Sequence, residues 1–210
     1  VVELKAGEPR RLRIEHYESR GHADVRLGSR RIEEGTLRAA VEAAKRADVA
    51  VVFGGLSEAT ETEALDRADL HLPAGQDELI AAVARANPNV VVVLNSGGPV
   101  LAGGWLEGVP ALVHAFYLGQ EEGNALAEIL FGDASPSGKL PATFPRRWED
   151  SPAFGRYPGR GGVVSYTEAL LVGYRWFDTK NVTPLFPFGH GLSYTRFEYS
   201  GLKQTEGRTS

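Results

Sequence analysis

The chain has 210 residues, 42% of them apolar, with 23 Lys and Arg against 27 Asp and Glu for a net charge of −4. That is enough apolar material for one ordinary core, and the mixed charges give no footprint for nucleic acid or for an anionic membrane. No Cys is present, which excludes disulfides, thiolate metal sites and thiol nucleophiles within the chain, and no apolar run approaches the ~18 residues of a membrane span.

The first thirty residues alternate apolar and polar side chains, as in Val1–Leu4, Arg11–Tyr17 and Ala23–Leu27, with Gly7, Pro9 and Gly21 as turns. They are expected to form short antiparallel strands, the remnant of an all-β module, since three such strands make a poor core by themselves. The chain starts at Val1 and has no Met, as expected of a mature product or a piece of a larger protein.

From Gly35 the period changes to that of a helix, with Leu37, Ala40, Val41, Ala44 and Ala47 on one face and Thr36 as the expected N-cap. An apolar strand, Val49 to Phe53, follows and is expected to be buried on both faces. A second unit has a helix from about Gln76 to Ala86, a break at Pro88, a strand from Val90 to Leu94 and the turn Asn95-Ser96-Gly97-Gly98-Pro99. A third has a strand from Ala111 to Phe116, a turn over residues 119–124 and a helix from Ala125 to Phe131. Apolar strands alternating with helices imply an α/β fold, a mostly parallel sheet with helices on both faces.

Beyond Gly132 the chain is rich in Pro, Gly and aromatics, and regular structure should be short. Residues Val172 to Phe177 and Arg196 to Tyr199 are the expected strands there. The polar end, 201–210, has the composition of a linker start.

Ser57 to Pro73 places five acidic side chains behind the first strand of the sheet. Ligands of such sheets bind beyond the carboxyl ends of the strands, and this loop far exceeds the usual ~2–6 residues, so it is the candidate site; the competing reading is a solvated acidic loop. Glu61 and Glu63 stand among small residues, where a carboxyl group can project freely and act as a general acid. Asp66 and Arg67 are expected to pair with each other and pin the loop. The glycine turns fit no dinucleotide or phosphate loop, and Ser96 lacks the glycine two residues earlier that a nucleophile elbow has. The five His are scattered, so no metal and no cofactor are expected. Glu121 and Glu122 suit a helix N-terminus, where a negative charge is stabilised.

Several ordered segments together resemble glycoside hydrolase family 3, the β-glucosidase and β-xylosidase type. They are residues 61–67 with 70–73, Asn87-Pro88-Asn89, residues 96–100, residues 119–125, Phe131-Gly132-Asp133, residues 136–141, residues 172–175 and Pro187 to Tyr194. The resemblance implies that residues 31–200 form the family's six-stranded, mostly parallel α/β sandwich, the domain that packs on a catalytic (β/α)8 barrel. Residues 3–28 look like the closing strands of a protective-antigen-type β module, which gives a domain division of 1–30, 31–200 and 201–210.

The resemblance also implies a retaining hydrolysis of terminal β-D-glucosyl residues from an oligosaccharide or β-glucoside. An Asp on the barrel is the nucleophile, and a Glu four residues before the Arg of the Asp-Arg pair is the acid/base. That position is Glu63, with Glu61 as the fallback and Asp66 and Arg67 as loop-positioning residues. Ala64 stands where a glycine is frequent, which would stiffen the loop. Without the barrel this chain is expected to be inactive alone; a non-catalytic carbohydrate-binding or structural fragment is the alternative.

Overall fold

The structure, a computed structural model, describes residues 35–64 and 66–203. The chain divides between Glu34 and Gly35. The antiparallel strands expected over residues 1–30 lie outside the described residues, as does most of the linker start.

Helix α1 spans Thr36–Arg46, and its N-cap is Gly35 with φ 93°, one residue ahead of the expected Thr36. Strand β1 (Ala50–Gly55) is followed by α2 (Gln76–Ala86), β2 (Val90–Asn95) and β3 (Ala111–His114). Asp77 and Glu78 sit in the first turn of α2, where the helix dipole favours them, and the Pro after Asn87 forces the chain out of the helix. Helix α3 (Glu122–Phe131) ends at Gly132, whose φ of 84° is the left-handed stop that glycine permits.

The three strands form one parallel sheet in the order β1-β2-β3, with Ala50 opposite Val90 and Val91 opposite Ala111. The pleat sends Ala50, Val52, Val90, Val92 and Leu94 to one face, where they meet Ala44 of α1, Ile80 and Val83 of α2, and Trp105. Val93, Val113 and Ala115 face the other way and meet Leu126 of α3. Helices on both faces of a parallel sheet are therefore present as expected. The six strands implied by the family resemblance compare with three among the described residues.

The first strand departs from expectation. Ala50 and Val52 are buried, but Val51 is 43% and Phe53 59% exposed. The reason is positional: among the described residues β1 lies at an edge of the sheet, and Leu126 of α3 reaches only the β2–β3 half of that face.

Asn87 ties the second helix–strand unit, α2 and β2, to the first, α1 and β1. Its Nδ2 donates to the carbonyls of Ala44 (2.9 Å) and Ala47 (2.8 Å), and its Oδ1 accepts the Asn89 N–H at 2.8 Å. Asn89 Nδ2 donates to Asp48 O at 3.1 Å, so the Asn-Pro-Asn segment ties the start of β2 to the approach to β1. At the other end of β1, the Gln76 amide accepts from Gly55 N–H (2.7 Å) and donates to Gly55 O (2.9 Å). A Cβ on Gly55 would fall 2.1 Å from Asn95 O, so only glycine lets β1 and β2 end side by side there.

The remainder of the chain is mostly irregular, as its Pro and Gly content predicts. Two expected strands are corrected. Residues Tyr174–Lys180 form a helix, α4, between Gly173 (φ 54°) and Asn181 (φ 53°), and Arg196 to Tyr199 has no strand partner among the described residues. A short apolar run has no period long enough to separate strand from helix, and here left-handed residues at both ends set the boundaries. Pro187 to Tyr194 runs back along Ser135 to Pro141: Leu140 N–H donates to His190 O and Gly189 N–H to Leu140 O, both at 2.8 Å, and Tyr194 Oη donates to Ile129 O at 2.8 Å.

Candidate active site

The acidic loop leaves the sheet at the carboxyl end of β1. Its first turn is closed by Ser57, whose carbonyl accepts the N–H groups of Thr60 and Glu61 at 2.8 Å each. Near its end, Asp69 Oδ1 accepts the His71 N–H at 2.8 Å, and Leu101 N–H donates to Leu70 O at 2.8 Å. Between these anchors the two candidate glutamates have different surroundings.

Glu61 is engaged at both oxygens. Its Oε2 accepts the Gly97 N–H at 2.8 Å and the Tyr117 hydroxyl at 2.5 Å, and its Oε1 lies 3.7 Å from Arg67 Nη1. Gly97 follows β2 and Tyr117 follows β3, so the loops after all three strands converge on one carboxyl group. A Cβ on Gly97 would stand 3.3 Å from that group, which accounts for a glycine in the turn. Partial burial, and then the Glu61 carboxylate it donates to, push the Tyr117 phenol up to about 12, so its hydroxyl remains a donor throughout the neutral range.

Glu63 is exposed, and among the described residues it has no hydrogen-bond or ionic partner. Ala64 beside it has φ 64°, in the left-handed region. Glycine adopts that conformation at less cost than alanine.

Asp66 and Arg67 are not paired with each other among the described residues, contrary to expectation. Asp66 Oδ1 accepts the Tyr157 hydroxyl at 2.8 Å, while Arg67 reaches Glu61 and donates from Nη1 to Pro99 O at 3.2 Å. Each of the two finds a partner on a different part of the chain. The bond to Asp66 raises the Tyr157 phenol above its ordinary value. A cavity of about 310 Å³ lies along this flank, lined by Glu61, Thr62, Asp66, Arg67, Trp148 and Tyr157.

Ser96 is fully buried, so it is no nucleophile in this form. It gives its proton to Gly98 O at 2.8 Å and meets His114 Nε2 at 3.0 Å, which makes that nitrogen the donor. Burial holds the His114 imidazole below its ordinary pKa. The Ser–His contact thereby shapes the turn that presents Gly97 to Glu61. Glu121 and Glu122 do not cap α3 through their side chains: Glu121 accepts from Asn124 Nδ2 at 2.6 Å, and Glu122 accepts from Asn95 at the end of β2. No group of three or more His, Asp or Glu among the described residues is arranged to hold a metal ion.

Sequence reasoning found the loop but missed Tyr117, Tyr157 and Gly97. The usable signal was position, because Gly97 and Tyr117 follow the second and third strands as the acidic loop follows the first.

The amino-acid sequence matches the family described as Glycosyl hydrolase family 3 C-terminal domain over residues 9–194. It is 48% identical over 177 residues to the thermostable beta-glucosidase B of Acetivibrio thermocellus, covering 84% of this chain and 23% of that protein. A beta-glucosidase of Rhizobium radiobacter is 49% identical over 172 residues, 80% of this chain and 21% of that one. Among solved structures, the beta-glucosidase of Kluyveromyces marxianus in complex with glucose superimposes with a TM-score of 0.78 at 44% identity, over 81% of this chain and 20% of that chain. A beta-glucosidase of Streptomyces venezuelae in complex with D-glucose gives a TM-score of 0.74 at 48% identity, over 78% and 21% of the two chains. The chain thus spans under a quarter of the length of these relatives.

Proposed function

Because the chain belongs to glycosyl hydrolase family 3 and forms its C-terminal domain, we propose that it supplies the general acid/base, Glu63, of a retaining exo-β-glycosidase. The substrate class is a β-D-glucoside or oligosaccharide with a terminal β-D-glucosyl residue, a choice supported by relatives named as beta-glucosidases. The nucleophilic Asp stands on a (β/α)8 barrel in the rest of the whole protein, and residues 31–200 are the sandwich domain that faces it.

One observation carries the choice of residue: Glu63 is exposed beyond the carboxyl end of β1 with no partner among the described residues, whereas Glu61 is bonded to two neighbouring loops. In the first step Glu63 gives its proton to the glycosidic oxygen as the bond to the anomeric carbon breaks and the Asp carboxylate bonds to that carbon. In the second, Glu63 takes a proton from water, whose oxygen displaces the Asp. Such a pair of carboxyl groups stands ~5–5.5 Å apart. Exposed Tyr166, Leu170, Val172, Phe188, Leu192 and Phe197 give the irregular segment an apolar surface suited to packing against the remainder of the enzyme.

The test is Glu63→Ala in the whole enzyme. Hydrolysis of glucosides with poor leaving groups should fall by about 10²–10⁴-fold, while the first step on activated aryl glucosides is spared and azide restores turnover as a β-glucosyl azide. Unchanged hydrolysis of the poor substrates would remove Glu63 from the role.

A further inference from the structure

We propose that Glu61 and Tyr117 are a positioning pair that fixes the acid/base loop against the carboxyl edge of the sheet; this rests on the assignment of Glu63. The loop has to hold an exposed side chain within a fraction of an ångström of a glycosidic oxygen, and a loop this long has too much freedom to do so unaided. Its restraints lie on both sides of Glu63. Before it, Glu61 Oε2 receives Gly97 N–H and Tyr117 Oη–H. After it, Asp66 receives Tyr157 Oη–H, and Arg67 joins Glu61 Oε1 to Pro99 O. Glu63 itself lies between these restraints, exposed and with no partner among the described residues.

The geometry of Tyr117 supports a dedicated role. Phe116 has φ 51°, an unfavourable conformation for a non-glycine residue, and its carbonyl is held by Asn95 Nδ2 at 3.1 Å. This left-handed residue lies two positions beyond the end of β3, and the next side chain, half-exposed Tyr117, meets the loop that follows β1. A tyrosine needed only for packing would not have its hydroxyl delivered to a carboxylate beyond the core. Glu61 is equally unsuited to act as the acid, because each of its oxygens already faces a donor from a neighbouring residue.

Kinetics on the whole enzyme separate positioning from chemistry. Glu61→Ala should lower kcat on alkyl glucosides or disaccharides by about 10–100-fold, with KM changed far less, since the acid remains but is misplaced. Glu61→Gln keeps one acceptor oxygen for Gly97 N–H and Tyr117 Oη–H, at the cost of the Arg67 ion pair, and should recover part of that loss. Tyr117→Phe removes one oxygen at a half-exposed ring and should reproduce part of the kcat loss even if the alanine variant fails to fold. Azide should rescue none of the three, because Glu63 still fills the acid's place. Wild-type kcat in both Glu61→Ala and Tyr117→Phe would overturn the positioning pair and leave the Glu63 assignment intact. Azide rescue of Glu61→Ala together with an unaffected Glu63→Ala would overturn both, making Glu61 the acid.

Discussion

Asn87 offers a direct measurement of how much one side chain contributes to joining the two halves of the fold. Asn87→Ala deletes two donors, to Ala44 O and Ala47 O, and one acceptor for Asn89 N–H. The backbone should not change, because Pro88 already holds residue 87 in the extended region, where its φ is −139°. Ala44 is buried, whereas Ala47 and Asn89 are exposed and can turn to water. One bond lost inside and two replaced outside, at about 0.5–1.5 kcal/mol each, come to about 2 kcal/mol. That is about a thirty-fold change in an opening equilibrium. Hydrogen exchange followed by mass spectrometry on the whole enzyme should therefore show a peptide spanning β2 exchanging about thirty times faster. Asn87→Asp sharpens the argument, since it keeps the acceptor for Asn89 but turns an oxygen toward two carbonyls, and should cost more than alanine at neutral pH. If aspartate proved milder than alanine, the donor bonds would not be what secures this junction.

Ala64→Gly should relieve about 1 kcal/mol of left-handed strain and leave the thermal midpoint unchanged or raised, because the glycine's greater unfolded freedom offsets part of the gain. Ala64→Val should lower the midpoint by more than 1 kcal/mol-equivalent, and equal midpoints for the two variants would argue against strain at this residue. His114 predicts a pH dependence: its folded pKa is depressed by burial while the unfolded imidazole titrates near ~6.5, so below that value protons favour the unfolded chain. Stability should be flat above about pH 7 and decline as the pH falls through 6 toward the folded pKa. A His114→Asn enzyme should lose that acid-side slope, and an identical slope in both proteins would assign it to other groups.

Much of the sheet could be read in the sequence because its signals are local. Gln76–Ala86 has helical spacing, a Gly before it and a Pro just after, and the helix found has those bounds. The run of four Val from Val90 to Val93 is apolar on both faces, and the strand found is central and covered on both. Val49 to Phe53 has the same composition yet is bare on one side, because being at an edge is a property of the whole sheet rather than of the strand. The candidate loop was visible from its charge and length, and a neighbour-by-neighbour reading paired Asp66 with Arg67. In space each of the two finds a partner far away in sequence, Tyr157 for one and Pro99 for the other, and no local pattern encodes those meetings. The quoted motifs carried more than their spacing explained. Asn-Pro-Asn is a strand tether, and Ser-Gly-Gly-Pro is a turn whose first glycine makes room for a carboxylate.

The convergence of three strand-end loops on a single oxygen makes the proposed site depend on sheet alignment. Sliding β3 by one residue against β2 would carry Tyr117 about 3.3 Å along the strand axis, out of reach of Glu61, and would swap its inward and outward side chains. On the proposed role of Glu63, Val92 and Leu112, which sit opposite each other in the register, therefore help fix where the proton is delivered. Substitutions at such interior positions can alter turnover without touching any group that contacts substrate.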